Sequence, residues 1–221
     1  MADFDIHRLD GVDPASSRAE GELKRYQDAL LQGFCSSPEA ADLPTAPSEI
    51  GCWAVRMIQF GFNYLGATVP GMSAADAEEI LTELFPRKVS LSSPDEADSV
   101  IPELSAFWRY LGREHRLPNA PAILKLLRDL QPQFKAMMND PSKFGMAKSF
   151  FMMGQSAGFD MSDEQQLQSF AAQYNAGLAA EHAAQSQGQA AAPHSDSRRA
   201  QRKRIQKLSS QARRKNRRKG R

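Results

Sequence analysis

The sequence predicts an all-α protein: a compact bundle of about six or seven helices around a buried central helix, with a disordered basic C-terminal tail. Three observations carry that reading. Apolar residues recur at spacings of three and four in one segment after another. Prolines, glycines and capping residues separate those segments. One stretch, Asn139 to Met161, is apolar nearly all round, as Phe144, Met146, Ala147, Phe150, Phe151, Met152, Met153 and Ala157 leave it almost no wet face. A helix of that kind is normally buried, so this stretch is the expected central helix, with Asp140 as N-cap, Pro141 at its first position and Gly158 as its stop.

Residues 1–16 show no period and are expected to be mobile. Leu23, Tyr26, Leu30 and Phe34 then mark an amphipathic helix from Arg18 to Phe34. Pro38, Pro44 and Pro47 make residues 35–47 a loop. A second helix is expected from Ser48, its cap, to Leu65, closed by Gly66 and Pro70-Gly71. Ser73 with Asp76 opens a third, which Phe85-Pro86 should stop, leaving Arg87 to Leu91 extended. Ser93-Pro94-Asp95-Glu96 reads as a strong helix start. Its stripe runs Ala97, Val100, Leu104, Phe107, Trp108 and Leu111 and crosses Pro102 without changing phase, which predicts a kinked continuation or a very short break. After a turn at Leu117-Pro118-Asn119, with Asn119 as cap, the stripe Ile123, Leu127, Leu130, Phe134 and Met137 crosses Pro132 in the same way. Ser162 with Gln165 caps a last helix through Leu178. The resulting organisation is a helical domain over 17–178, an Ala/Gln/Ser-rich linker over 179–197 that continues a frayed helix end, and a basic tail over 198–221.

The net charge of +2 conceals two opposed blocks. Residues 197–221 hold 13 Lys/Arg and no Asp/Glu. Subtracting 13 from the chain's 28 basic residues leaves 15 against 26 acids before the tail, a net of about −11. The tail residues are Arg198, Arg199, Arg202, Lys203, Arg204, Lys207, Arg213, Arg214, Lys215, Arg217, Arg218, Lys219 and Arg221. Such a run binds phosphates by releasing counterions and needs no base recognition. Arginine outnumbers lysine, which suits bidentate phosphate contact. No aromatic residue is interleaved to stack on bases, so contact with a nucleic-acid backbone or structured RNA is expected, with RNA or the ribosome favoured over DNA. Solvation of the chain, docking on the acidic body and attraction to anionic lipid are the competing uses of the same charge.

Enzymatic signals are thin. No dinucleotide fingerprint, phosphate-binding loop, HExxH motif or nucleophile elbow occurs. Cys35 and Cys52 have neither zinc spacing nor a disulfide framework and read as two reduced thiols. No metal or cofactor is expected. Of the histidines only His115 falls in the folded body; with Arg87 and Lys148 it forms the one candidate pocket worth testing, Lys148 being the charge inside the apolar run. Its bland alternative is a lysine whose stem is buried and whose ammonium reaches water. Core filling is the expected role of the methionines around the central stretch, and close helix approach that of Gly145, Gly154 and Gly158. The acidic N-terminus, MADFDIHRLDG, lacks the apolar run of a secretory signal, and no segment reads as a membrane span, so a cytoplasmic location is expected.

The segments FPRKVSL (Phe85 to Leu91), IPELSAFWRYL (Ile101 to Leu111), LPNA (Leu117 to Ala120) and NDPSKFGMAKSFFMMGQSAGFDM are similar to an uncharacterised bacterial helical domain family, over about residues 50–178. The resemblance implies a bacterial intracellular protein and carries no activity or catalytic residue; the tail lies outside it. The functional expectation is a non-enzymatic protein whose tail binds nucleic acid while the helical domain binds a protein partner. A protein–protein adaptor with a merely solubilising tail is the alternative, and an enzyme of unrecognised type the second.

Overall fold

The computed structural model of the chain describes residues 4–188, with side chains through 179. It divides into two units, one ending at Gly158 and one beginning at Phe159. About 68% of the structure is helical, and no strand occurs among the described residues.

The first unit begins with turns rather than a loose end. Ile6 and Leu9 are buried, and the buried Tyr26 hydroxyl donates to the Ile6 carbonyl at 3.0 Å. Residues 1–16 read as mobile because two anchoring side chains make no period, yet their burial ties this segment to the core. Helix α1 (Ala19–Cys35) then buries the expected stripe, Leu23, Tyr26, Leu30 and Phe34. The loop reading of 35–47 misses a short helix, α2 (Pro38–Ala41), which Ser37 caps by accepting from the Ala40 amide.

Helix α3 (Cys52–Phe60) starts four residues later than its expected cap, Ser48. Its cap comes from far along the chain. The Glu103 carboxylate accepts the Trp53 amide at 2.7 Å and the Ala54 amide at 3.0 Å through Oε1. Local sequence cannot reveal a cap supplied from about fifty residues away. A wider π-helical turn, Gly61–Leu65, extends α3, and Gly66 ends it with φ of +65°, a conformation glycine adopts without strain.

Helix α4 (Ala74–Glu79) has the expected capping box between Ser73 and Asp76. Pro86 does not stop it. A π turn, Ile80–Leu84, leads directly into α5 (Phe85–Lys88), so Arg87 and Lys88 are helical and only Val89 onward is extended. A proline removes one amide donor and collides with the carbonyl four residues before it. The wider turn accommodates both effects: the Phe85 amide bonds to the Ile80 carbonyl, and the freed Thr82 carbonyl accepts from Lys143 Nζ at 3.3 Å.

A 3-10 segment, Pro94–Ser99, hands over to α6 (Val100–Glu114). Pro102 falls in the first turn of α6, where its missing amide has no intrahelical partner to lose, so the stripe keeps its phase. Nine side chains of α6 are buried, from Val100 to Leu111, and this helix, not the Asn139–Met161 stretch, is the buried centre. It packs against α7 (Ala120–Met138), which continues through Pro132 as expected, though its buried stripe ends on Met138 with Met137 only half-buried. Asn119 stands at the N-cap position of α7 as expected but makes no side-chain cap; its amide donates instead to the Val69 and Met72 carbonyls, at 3.1 and 2.7 Å, and ties the start of α7 to the loop before α4.

The expected central helix is shorter and more peripheral. Asp140 and Pro141 open only a 3-10 turn, Pro141–Lys143; Phe144 and Gly145 are extended, and α8 is Met146–Ser156. Only Lys148 and Gly154 of α8 are buried, while Met146 is 89% exposed. Its apolar composition does not report its burial.

In the second unit α9 (Glu164–Gly188) carries the last stripe and continues through half of the expected linker. Its cap is Asp163, which accepts the Gln166 amide at 2.9 Å, rather than Ser162. Phe159 and Phe170 pack with ring centres 5.4 Å apart. Residues 189–221, with the rest of the linker and the whole basic tail, lie outside the described residues.

Two predictions follow from helix ends. Glu103 is 1% exposed and its Oε2 has no hydrogen-bond partner among the described residues, and burial raises its pKa above the ordinary carboxylate range against the opposing pull of the Ala54, Trp53 and Gly51 amides and of Arg56. The folded state therefore holds this proton more tightly than the unfolded chain. Its contribution is greatest at and below about pH 4.5 and is lost as pH rises through the folded value. Glu103→Gln should flatten that part of the pH dependence at small cost, whereas Glu103→Ala, which leaves two amides uncapped and opens a cavity, should cost about 2–4 kcal/mol; urea melts at mildly acidic and neutral pH read both. Arg116, just beyond the end of α6, has φ of +51°, the only positive φ of a described non-glycine residue. Glycine is the residue favoured there, so Arg116→Gly should raise stability by about 0.5–1 kcal/mol in the same melts.

Candidate functional site

Of the candidate trio Arg87, His115 and Lys148, only Arg87 and Lys148 meet at a joint, where α5, α7 and α8 end or begin. Lys148 lies in the first turn of α8 and is 4% exposed. Its ammonium donates to the Pro86 carbonyl at 3.0 Å and to the Met138 carbonyl at 3.1 Å. Those carbonyls belong to α5 and to the last residue of α7, and the C-terminal end of a helix carries partial negative charge. The Phe144 ring lies 3.9 Å from Nζ and offers its negative face to the same charge. Burial still holds the Lys148 pKa down to about 8.

Arg87 reaches this joint through its backbone. Its carbonyl accepts the Gly145 amide at 3.0 Å, and a Cβ on Gly145 would stand 2.8 Å from that oxygen. Glycine is therefore required for α5 and the start of α8 to approach, as the sequence reading expects of it. The Arg87 side chain is exposed.

His115 is elsewhere. It caps the end of α6 and packs edge-on to Phe4 and Tyr110, with ring centres 5.6 and 5.7 Å away. Burial pushes its pKa below the usual imidazole value, against a weaker opposing pull from Glu114. Its Nε2 is buried without a hydrogen-bond partner among the described residues. The structure thus joins Arg87 to Lys148 and leaves His115 apart, and neither lines the cavity beside Lys148. That cavity holds about 60 Å³ between Ser92, Asn139, Phe144, Met152 and Gln155. It is large enough for a water molecule or two and small for a metabolite.

Chemically, the site is a buried cation whose donors are already engaged. It does not match the bland expectation of an ammonium in water, since the charge itself is enclosed, and the sharper one holds only in that Lys148 lines a cavity. The residue that sequence reasoning misses altogether is Glu103, a buried carboxylate on a helix N-terminus. Its signal was an acid set among Ile101, Leu104 and Phe107 on the apolar side of α6.

The charge state of Lys148 gives a test. Between about pH 8 and the ordinary lysine value of 10.5 the unfolded chain retains a proton that the folded chain has released. This group's contribution to stability is therefore present above pH 10.5, falls as pH decreases through that window, and is lost below about 8. Lys148→Met should abolish that slope and, by stranding two buried carbonyls, cost about 1–3 kcal/mol near neutrality; denaturant melts at pH 7.5 and 10 measure both effects. No described helix is long and apolar enough to cross a membrane. No protein-family model, curated protein or solved structure matches the chain, so its reading rests on its own residues.

Proposed function

We propose that the protein is a non-enzymatic nucleic-acid-associated protein, anchored by its basic C-terminal segment and carrying a helical domain that binds a protein partner. The observation that carries this reading is the run of 13 Lys/Arg without one acid over residues 197–221. Each neutralised phosphate releases condensed counterions, so such a segment binds RNA or DNA strongly at low salt without reading sequence. The arginine bias and the lack of aromatic residues favour the phosphate backbone, and structured RNA in particular. The engagement of Lys148 by two carbonyls and a ring, with His115 placed apart, also favours a binding role over catalysis.

The adaptor alternative, in which the tail only solubilises the chain, differs in its response to salt. The test is to purify the full chain and a 1–197 truncation without nuclease and compare the nucleic acid each retains. Only the full chain should carry it, and raising salt from about 50 to 200 mM should strip it by orders of magnitude. The truncation should melt within about 1 °C of the full chain, because the buried stripes end before the tail. Equal retention by both forms, or none by either, would remove the tail from the function.

A further inference from the structure

An open groove follows the seam between α6 and α7. It has two lobes, of about 510 and 440 Å³, which adjoin at Arg109 and Leu124, residues that line both. Arg128 flanks the first lobe and Arg116 the second. Between these arginines lie the half-buried Leu43 and Leu124, beside the polar side chains of Ser105 and Gln131.

The three arginines stand out against their surroundings. Basic residues nearby are engaged: Arg113 binds Glu39 at 2.7 Å, Lys125 binds Asp129 at 2.8 Å, and Lys135 binds Asp95 and Asp98, both at 2.6 Å. Arg109, Arg116 and Arg128 are exposed, and none has an ion pair or side-chain hydrogen bond with a described residue. The one carboxylate lining the groove, Asp42, is outside ion-pair distance of all three. Arg116 also holds a left-handed backbone that glycine would hold more easily. Strain kept at an exposed residue points to a use for the side chain it carries.

A guanidinium fork matches a carboxylate or a phosphate equally well. The rest of the groove separates the two. Leu43 and Leu124 offer nothing to a phosphate backbone, whereas they can pack against the aliphatic side chains of a peptide. A body with net charge near −11 also repels a long polyanion more than it repels a short segment with two or three acids. From this charge complementarity we infer that the groove docks an extended peptide segment of a partner protein in which acidic residues, set on Arg109, Arg116 and Arg128, alternate with apolar ones set on Leu43 and Leu124. This names the partner chemistry of the helical domain and rests on the reading of that domain as a partner-binding module; it is independent of the tail.

The experiment uses the full chain and a fluorescein-labelled peptide of alternating glutamate and leucine, at about 200 mM salt to weaken purely electrostatic binding by the tail. Fluorescence anisotropy gives affinity, and hydrogen–deuterium exchange gives the footprint. Arg109→Glu combined with Arg128→Glu should weaken binding at least tenfold, about 1.4 kcal/mol. Lys24→Glu, on the exposed side of α1, should leave it unchanged. Protection should fall on residues 105–131. All the substituted side chains are exposed, and an unchanged melting curve confirms that the variants are folded. Absence of binding, equal affinity of the double variant, or protection confined to 198–221 would overturn the proposal while leaving the tail reading intact. An unlabelled single-stranded oligonucleotide that displaces the peptide and is itself weakened by the same substitutions would assign the groove to nucleic acid and overturn the acidic-peptide occupant. Conversely, failure of the truncation experiment would remove the nucleic-acid anchor and leave this groove untouched.

Discussion

The carboxylate of Glu103 on the first amides of α3 fixes the relation between the two helices on which the first unit is built. Helix α6 is buried along most of its length, and its neighbours are arranged around it. Hydrophobic contact alone would let α3 slide or rotate on that surface, because apolar attraction has no direction. Two amides donating to one oxygen, backed by Trp53 Nε1 donating to Ser99 Oγ at 2.9 Å, set its register. The Trp108 indole reaching Met57 Sδ at 3.4 Å lies farther along the same interface. Burying the carboxylate costs free energy, and the helix N-terminus offsets it with aligned amide dipoles.

Lys148 is the mirror image of this arrangement. A buried carboxyl group sits on a helix N-terminus, and a buried ammonium sits on helix C-terminal carbonyls. Neither has an ion-pair partner within 4.0 Å among the described residues. Each is stabilised by backbone groups that need a partner where a helix ends. The two side chains thus act as caps delivered across the fold, one joining α6 to α3 and the other joining α8 to α5 and α7.

How much of this was legible depends on how local the cause is. The stripes of α1, α6 and α7 were readable because burial and periodicity coincide in them, whereas in α9 only Phe170 of the stripe is buried and Leu178 is exposed. The Ser73–Asp76 capping box was readable because its donors and acceptors lie three residues apart. The start of α3 was not, since its cap is on α6. Nor was the exposure of α8: composition records what a helix could bury, not what is packed against it, and Phe144 to Met153 looked central on composition alone. Pro86 read as a stop because the wider turn that tolerates it has no marker in sequence. Of the candidate site, the conspicuous lysine was found, but its enclosure by two carbonyls was not, because carbonyl direction is a property of how helices end. The groove of unpaired arginines was likewise hidden, since each is unremarkable until its neighbours are seen to be engaged.

The π turn at Ile80–Leu84 acts as a frame adjuster within the helix that spans α4 and α5. One residue more than an α turn occupies the same stretch, so every side chain after it is rotated by about 100° from the α-helical phase. That rotation is what allows Phe85 and Pro86 to be buried together while the Arg87 carbonyl meets the Gly145 amide. A single-residue deletion inside this segment would therefore do more than shorten a helix. It would turn the last helical turn away from α8 and remove the Pro86 carbonyl from Lys148, so the length of Ile80–Leu84 is constrained even where its individual side chains are not.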